Sequence, residues 1–128
     1  MTTENKTILI VEDEQDLREA LTDKLTREAF TVLEAKNGKE GLDKALGEHP
    51  DLILLDIVMP EMDGMTVLRK LREDTWGKTV PVILLTNLSA TEESIIEEMV
   101  KYAPSHYLVK SDWKIKDVVE KIKETLEK

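Results

Sequence analysis

Short runs of branched and apolar residues recur along the chain at Ile8 to Val11, Phe30 to Leu33, Leu52 to Leu55, Val82 to Leu85 and Tyr107 to Val109. Continuous apolar runs of this length, with no polar alternation, are the pattern of strands buried on both faces. Between them the apolar residues repeat at helical spacing. Leu17, Ala20, Leu21 and Leu25 share one helical face, Leu42, Ala45 and Leu46 a second, and Val67, Leu68 and Leu71 a third. Ile95, Ile96, Met99 and Val100 form a fourth, and Ile115, Val118, Val119, Ile122 and Leu126 a fifth. The pattern predicts five βα units.

Start signals agree with that division. Asn37 stands three residues before Glu40 and Ser89 three before Glu92, both resembling capping boxes, while Asp63-Gly64 and Ser111-Asp112 open two further helices. Pro81 falls at the start of a strand, where a missing N–H is tolerated, and Pro50 closes the connection before Leu52. Strands alternating with helices and lacking hairpin turns imply an α/β fold, a doubly wound parallel sheet with helices on both faces.

The polar residues that end the apolar runs are the informative feature. Glu12 and Asp13 come directly after the first run, Asp56 after the third, Thr86 after the fourth and Lys110 after the fifth. In a doubly wound sheet the carboxyl ends of the strands form one rim, so these side chains are expected to converge there. The second run ends in Glu34-Ala35-Lys36 instead, which fits an edge strand and a strand order of 2-1-3-4-5. Carboxylates gathered in this way repel by roughly 4 kcal/mol per pair at 4 Å and an effective dielectric near 20. Either the carboxyl pKa values rise or a cation binds, and an all-oxygen cluster favours a hard ion such as Mg2+. A lysine and a hydroxyl beside such an ion suit a phosphoryl group, and a carboxylate nucleophile at Asp56 can form an acyl phosphate. One acidic residue at a strand end is ordinarily a solvated cap or turn, one threonine a cap and one lysine a surface charge. Five convergent groups outweigh those separate explanations.

Composition narrows the classes further. At 128 residues and 41% hydrophobic content the chain suits a single domain over 1–128 with one core. It has no cysteine, which removes disulfides, thiolate metal sites and cysteine nucleophiles. No leader pattern opens it and no apolar run approaches the roughly 18 residues of a membrane span. A cytoplasmic protein without membrane contact is expected. The net charge of −9, from 27 acidic and 18 basic residues, disfavours direct binding to nucleic acid.

With those residues in place, the chain resembles the receiver domains of two-component response regulators over nearly its whole length, in the stand-alone, chemotaxis-regulator-like form. ILIVEDE is similar to the family's first strand and acidic pair, HPDLILLDIVMPEMDG to its phosphoacceptor strand and loop, VILLT to its hydroxyl-bearing strand and YLVK to its lysine strand. The resemblance implies a flavodoxin-like fold and Mg2+ held by Glu12, Asp13, Asp56 and the Val58 carbonyl. It implies phosphoryl transfer to Asp56 from a sensor histidine kinase or a histidine phosphotransfer protein, with Thr86 and Lys110 contacting the phosphoryl group. Tyr107 matches the aromatic that turns inward as the threonine moves. The implied role is a phosphorylation-activated switch with intrinsic self-phosphorylation and hydrolysis and an unidentified downstream protein partner, not a turnover enzyme. Val58 and Leu88 match two positions near the path of the hydrolytic water; both are apolar, which implies slow loss of the phosphoryl group.

Two departures bear on this. Ser111 stands after Lys110 where the family usually has a proline in a cis peptide, and a non-proline cis bond costs roughly 3 kcal/mol. APSH before Tyr107 replaces the usual glycine-containing end of the fourth helix, which puts the output face in question. His49, His106, Trp76, Trp113, Met59, Met62 and Met65 read as structural residues rather than ligands or cofactor contacts. A phosphorelay intermediate and an excised receiver of a larger regulator are the alternatives within the family, although Lys128 closes the last helix with no linker visible. A small Mg2+-dependent phosphatase would need a cap or pocket for which five βα units leave little chain. A flavin-carrying electron transporter is disfavoured because acidic strand ends repel a flavin phosphate.

Overall fold

Strand and helix alternate as β1 (Thr7–Val11), α1 (Gln15–Arg27), β2 (Thr31–Ala35), α2 (Gly38–Glu48), β3 (Leu52–Asp56), α3 (Gly64–Glu73), β4 (Val82–Thr86), β5 (His106–Val109) and α4 (Ile115–Leu126). The computed structural model describes residues 6–57, 59, 61–86, 101–102, 104–109 and 114–127, and for Thr86, Tyr107 and Val109 the backbone alone. The five strands form one parallel sheet in the order β2-β1-β3-β4-β5, as expected. Four helices are present among the described residues. The helix expected on Ile95, Ile96, Met99 and Val100, with its cap at Ser89 and Glu92, lies outside them, although Lys101 and Tyr102 are helical.

Because strand side chains alternate faces, each buried run feeds two cores. Leu9, Val11, Ile53, Leu55, Val82 and Leu84 pack with Val67, Leu68 and Leu71 of α3 and Ala45 of α2. Ile8, Ile10, Leu52, Leu54, Ile83 and Leu85 pack on the other side with Leu21 and Leu25 of α1 and Val118, Val119 and Ile122 of α4. Helices therefore cover both faces, and the rim at the carboxyl ends of the strands stays available to polar side chains.

Some expectations shift in detail. The second strand begins at Thr31, not Phe30. Phe30 instead closes α1: its N–H donates to the Leu25 carbonyl and that of Ala29 to Thr26, both at 3.1 Å. This is the paired-bond ending of a Schellman motif, with Ala29 left-handed at φ 73° and Phe30 packed in the same core as Leu25. Leu46, expected on the buried face of α2, is 38% exposed. The face that α2 buries is Gly38, Gly41 and Ala45, since a β-carbon at Gly41 would come within 2.6 Å of Val11. The last helix starts at Ile115, later than Ser111-Asp112 suggests, and the Asp117 carboxylate accepts from the Lys114 N–H at 2.9 Å. Two of the expected caps hold: Asn37 accepts from the Glu40 N–H at 2.8 Å and Asp63 from the Thr66 N–H at 2.9 Å.

His49, Trp76, Met59, Met62 and Met65 act as packing residues. His49 ends α2 in the left-handed region and stacks on Trp76, ring centroids 4.4 Å apart. Met59 and Met62 lie against the core and Met65 is buried within it.

Candidate functional site

Four strand ends assemble the site. Val11 pairs with Leu55, so Glu12, the next residue of the first strand's chain, lies beside Asp56. Asp56 is opposite Leu85 of β4, which puts the backbone of Thr86 one step further along the rim. Thr86 in turn pairs with Val109, the residue before Lys110. The register thus brings the β1, β3, β4 and β5 ends to one edge, while β2 sits outside at the flank.

Glu12, Asp13 and Asp56 each present a carboxylate oxygen, all within 4.8 Å of one another. Glu12 is fully buried, Asp56 is 4% exposed and Asp13 faces solvent. An all-carboxylate, partly open cluster of this span fits a small hard divalent cation, held by one or two carboxylates directly and otherwise through water, and suits Mg2+ better than soft metals, which prefer sulfur or imidazole.

The backbone around the cluster is tightly fixed. The Glu12 N–H donates to the Ala35 carbonyl at 3.0 Å, continuing the β1–β2 ladder past its last pair. The Glu14 N–H donates to Glu12 Oε2 at 3.0 Å, and Arg18 Nη1 donates to the Glu12 carbonyl at 2.8 Å. On the other side, the Gly64 N–H donates to the Ile57 carbonyl at 2.7 Å. A β-carbon at Gly64 would sit 2.1 Å from the Asp56 carbonyl oxygen, so glycine is what allows the start of α3 to lie against the end of β3.

Of the residues singled out from sequence, Glu12, Asp13 and Asp56 come together. Thr86 and Tyr107 have the expected strand positions at the level of the backbone, with Tyr107 paired to Leu84. Val58, Leu88, Lys110, Ser111 and Trp113 lie outside the described residues. Sequence reasoning misses Arg18. It stands four residues beyond Glu14 on α1, which reads as an ordinary surface ion pair, and nothing in the pattern distinguishes it from its neighbours.

Comparison with known proteins gives concordant results. The chain is 39% identical over 103 residues to the response regulator ArlR of Staphylococcus aureus, a match covering 80% of this chain and 45% of that protein. The chain thus spans less than half the length of the curated relatives it matches. Among solved structures, a CheY-like response regulator receiver domain protein from Methanospirillum hungatei superposes with a TM-score of 0.86 at 30% identity, covering 97% of this chain and 95% of that one. The signal receiver domain of a signal transduction histidine kinase from Syntrophus aciditrophicus gives 0.84 at 31% identity, covering 95% and 90%. Among the described residues no helix is long and apolar enough to cross a membrane. Residues 8–123 match the model of the response regulator receiver domain, and together with the sheet order and the acidic rim this shows that the chain belongs to that family of two-component signalling proteins.

Proposed function

We propose that this chain is a phosphorylation-controlled switch whose phosphoacceptor is Asp56, charged by the phosphohistidine of a sensor histidine kinase or histidine phosphotransfer protein. The observation that carries this reading is the buried Asp56 carboxylate at the rim, within 4.8 Å of the carboxylates of Glu12 and Asp13. In the transfer an Asp56 oxygen attacks phosphorus, the P–N bond to the donor imidazole breaks, and a P–O bond forms. Glu12, Asp13, Asp56 and the Val58 carbonyl would hold Mg2+, which when bound offsets the charge on the carboxylates and the incoming phosphoryl oxygens. The Thr86 hydroxyl and the Lys110 ammonium would contact the phosphoryl group, and Tyr107 would respond to the movement of Thr86. The backbone bonds at Glu12 and Gly64 hold the chain at the ends of β1 and β3, which favours catalysis by positioning. Phosphorylation would then shift the population between two arrangements of the partner-binding face. The cytoplasm is the compartment where such a donor is met.

Intact-mass measurement after treatment with acetyl phosphate and Mg2+ tests the assignment. One labile phosphoryl adduct is expected on the native protein and none on Asp56→Asn. An adduct that persists in Asp56→Asn and maps to another acidic residue overturns it.

A second reading, the receiver portion of a longer regulator rather than a single-domain protein over 1–128, is favoured by the 45% coverage of ArlR. The apparent size of the protein in an extract of its source organism separates the two.

A further inference from the structure

We infer that Arg18 is a positioning residue for the acidic cluster: it fixes the peptide between Glu12 and Asp13 and so sets the two carboxylates of the first strand end for a cation. The inference rests on the reading of that cluster as a Mg2+ site. Arg18 Nη1 donates to the Glu12 carbonyl at 2.8 Å, and Arg18 Nε pairs with Glu34 Oε1 at 3.3 Å. One planar guanidinium therefore bridges the carboxyl end of β1 and the edge strand β2, a geometry that its rigid fork permits. The arginine side chain is only 16% exposed, although that of Glu34 is 42% exposed, so the shielding falls on the guanidinium and its bond to the Glu12 carbonyl.

The bonded carbonyl belongs to the peptide joining the two carboxylate-bearing residues. Rotation of that peptide would swing the Asp13 side chain relative to Glu12. The N–H of Glu12 is already held by Ala35 and Glu12 Oε2 by the Glu14 N–H, so the Arg18 contact restrains what those two bonds leave free. Glu34 has a part as well. Its carboxylate holds the guanidinium toward the β2 edge.

The two possible roles of a nearby cation differ in sign. If Arg18 acted only through its charge, removing it would strengthen Mg2+ binding, because a positive group repels the ion. A positioning role gives the opposite result, since groups that orient metal ligands typically change affinity by about 10- to 100-fold when lost. The test is calorimetric Mg2+ titration of the native protein, Arg18→Met and Arg18→Lys, each well below its own melting temperature and checked by circular dichroism. Arg18→Met should weaken binding about tenfold. Arg18→Lys, which keeps the charge but cannot span both acceptors with a planar fork, should bind with intermediate affinity. It carries the test alone if the methionine variant does not fold. A native protein that binds Mg2+ while both variants bind it as tightly or more tightly overturns the positioning role and leaves the metal reading standing. A native protein that binds no Mg2+ overturns both.

Discussion

Arg72 and Gly64 show how single residues hold the two ends of α3 in place by opposite means. Arg72 on α3 is half-buried and donates to three carbonyls, those of Tyr102, Gly77 and Val80, at 2.8 to 2.9 Å. Burial lowers the pKa of its guanidinium from the ordinary value, yet a group starting so far above neutrality stays charged and each bond is charge-assisted. Gly64 works by absence. Nothing but hydrogen fits between α3 and the Asp56 carbonyl, where a β-carbon would lie at 2.1 Å. Gly64→Ala should therefore force the helix start away from the end of β3 and cost about 2–3 kcal/mol, the scale of a strained core insertion. Urea unfolding measures this, and a loss below about 0.5 kcal/mol, the scale of an ordinary surface change, would show that the backbone there yields easily.

At the scale of elements, α1 and α4 are tied across the second core by charge as well as by packing. Glu28, at the end of α1, is bonded by Lys123 of α4 and also paired with Lys24 at 3.4 Å. The hydrogen bond and charge of Lys123, with a smaller contribution from Lys24, hold the Glu28 carboxyl below its ordinary 4.5 against an opposing effect of burial. A carboxyl whose folded pKa is depressed contributes stability above its unfolded value and loses it as pH falls through the lowered folded value. Glu28→Gln should then be less stable than the native protein at neutral pH, with the difference shrinking once pH drops below the ordinary carboxyl range. A gap that stays constant from neutral to acidic pH would mean that this ion pair does not link the helices. Here the limits of the sequence are plain. The apolar faces of α1 and α4 are visible as periodic residues, but Glu28 and Lys123 are 95 positions apart and carry no local sign of meeting. Phe30 reads as part of β2 because its neighbours are apolar, whereas the left-handed Ala29 that turns it back onto Leu25 adopts the conformation expected of glycine. Leu46 misleads for a related reason: α2 approaches the sheet through Gly38, Gly41 and Ala45, so of the expected stripe Ala45 is buried and Leu42 packs on the core while Leu46 is turned outward.

For the whole molecule, the topology and the three carboxylates are legible, because residues that end buried strands must share a rim once the strands are parallel. The contacts that hold those carboxylates are not, since the Arg18 bridge depends on how β2 and α1 meet. The cluster lies in a chain of net charge −9, so without a cation it adds local repulsion to a general one. Asp13→Ala should therefore have two opposed effects. In chelator the substitution removes a repelling charge and the protein should melt at or slightly above the native temperature; because Asp13 is exposed the gain should be under about 1 kcal/mol. In Mg2+ the native protein should gain stability by mass action, about 2.7 kcal/mol at a hundred times the dissociation constant, while the variant, having lost a ligand, should gain much less. The order of the two melting temperatures should reverse as Mg2+ is added. Scanning calorimetry across a Mg2+ titration makes the comparison. Parallel curves, with the variant lower throughout, would mark Asp13 as a structural residue, and a native curve that ignores Mg2+ would mean the three carboxylates are crowded for some reason other than a cation.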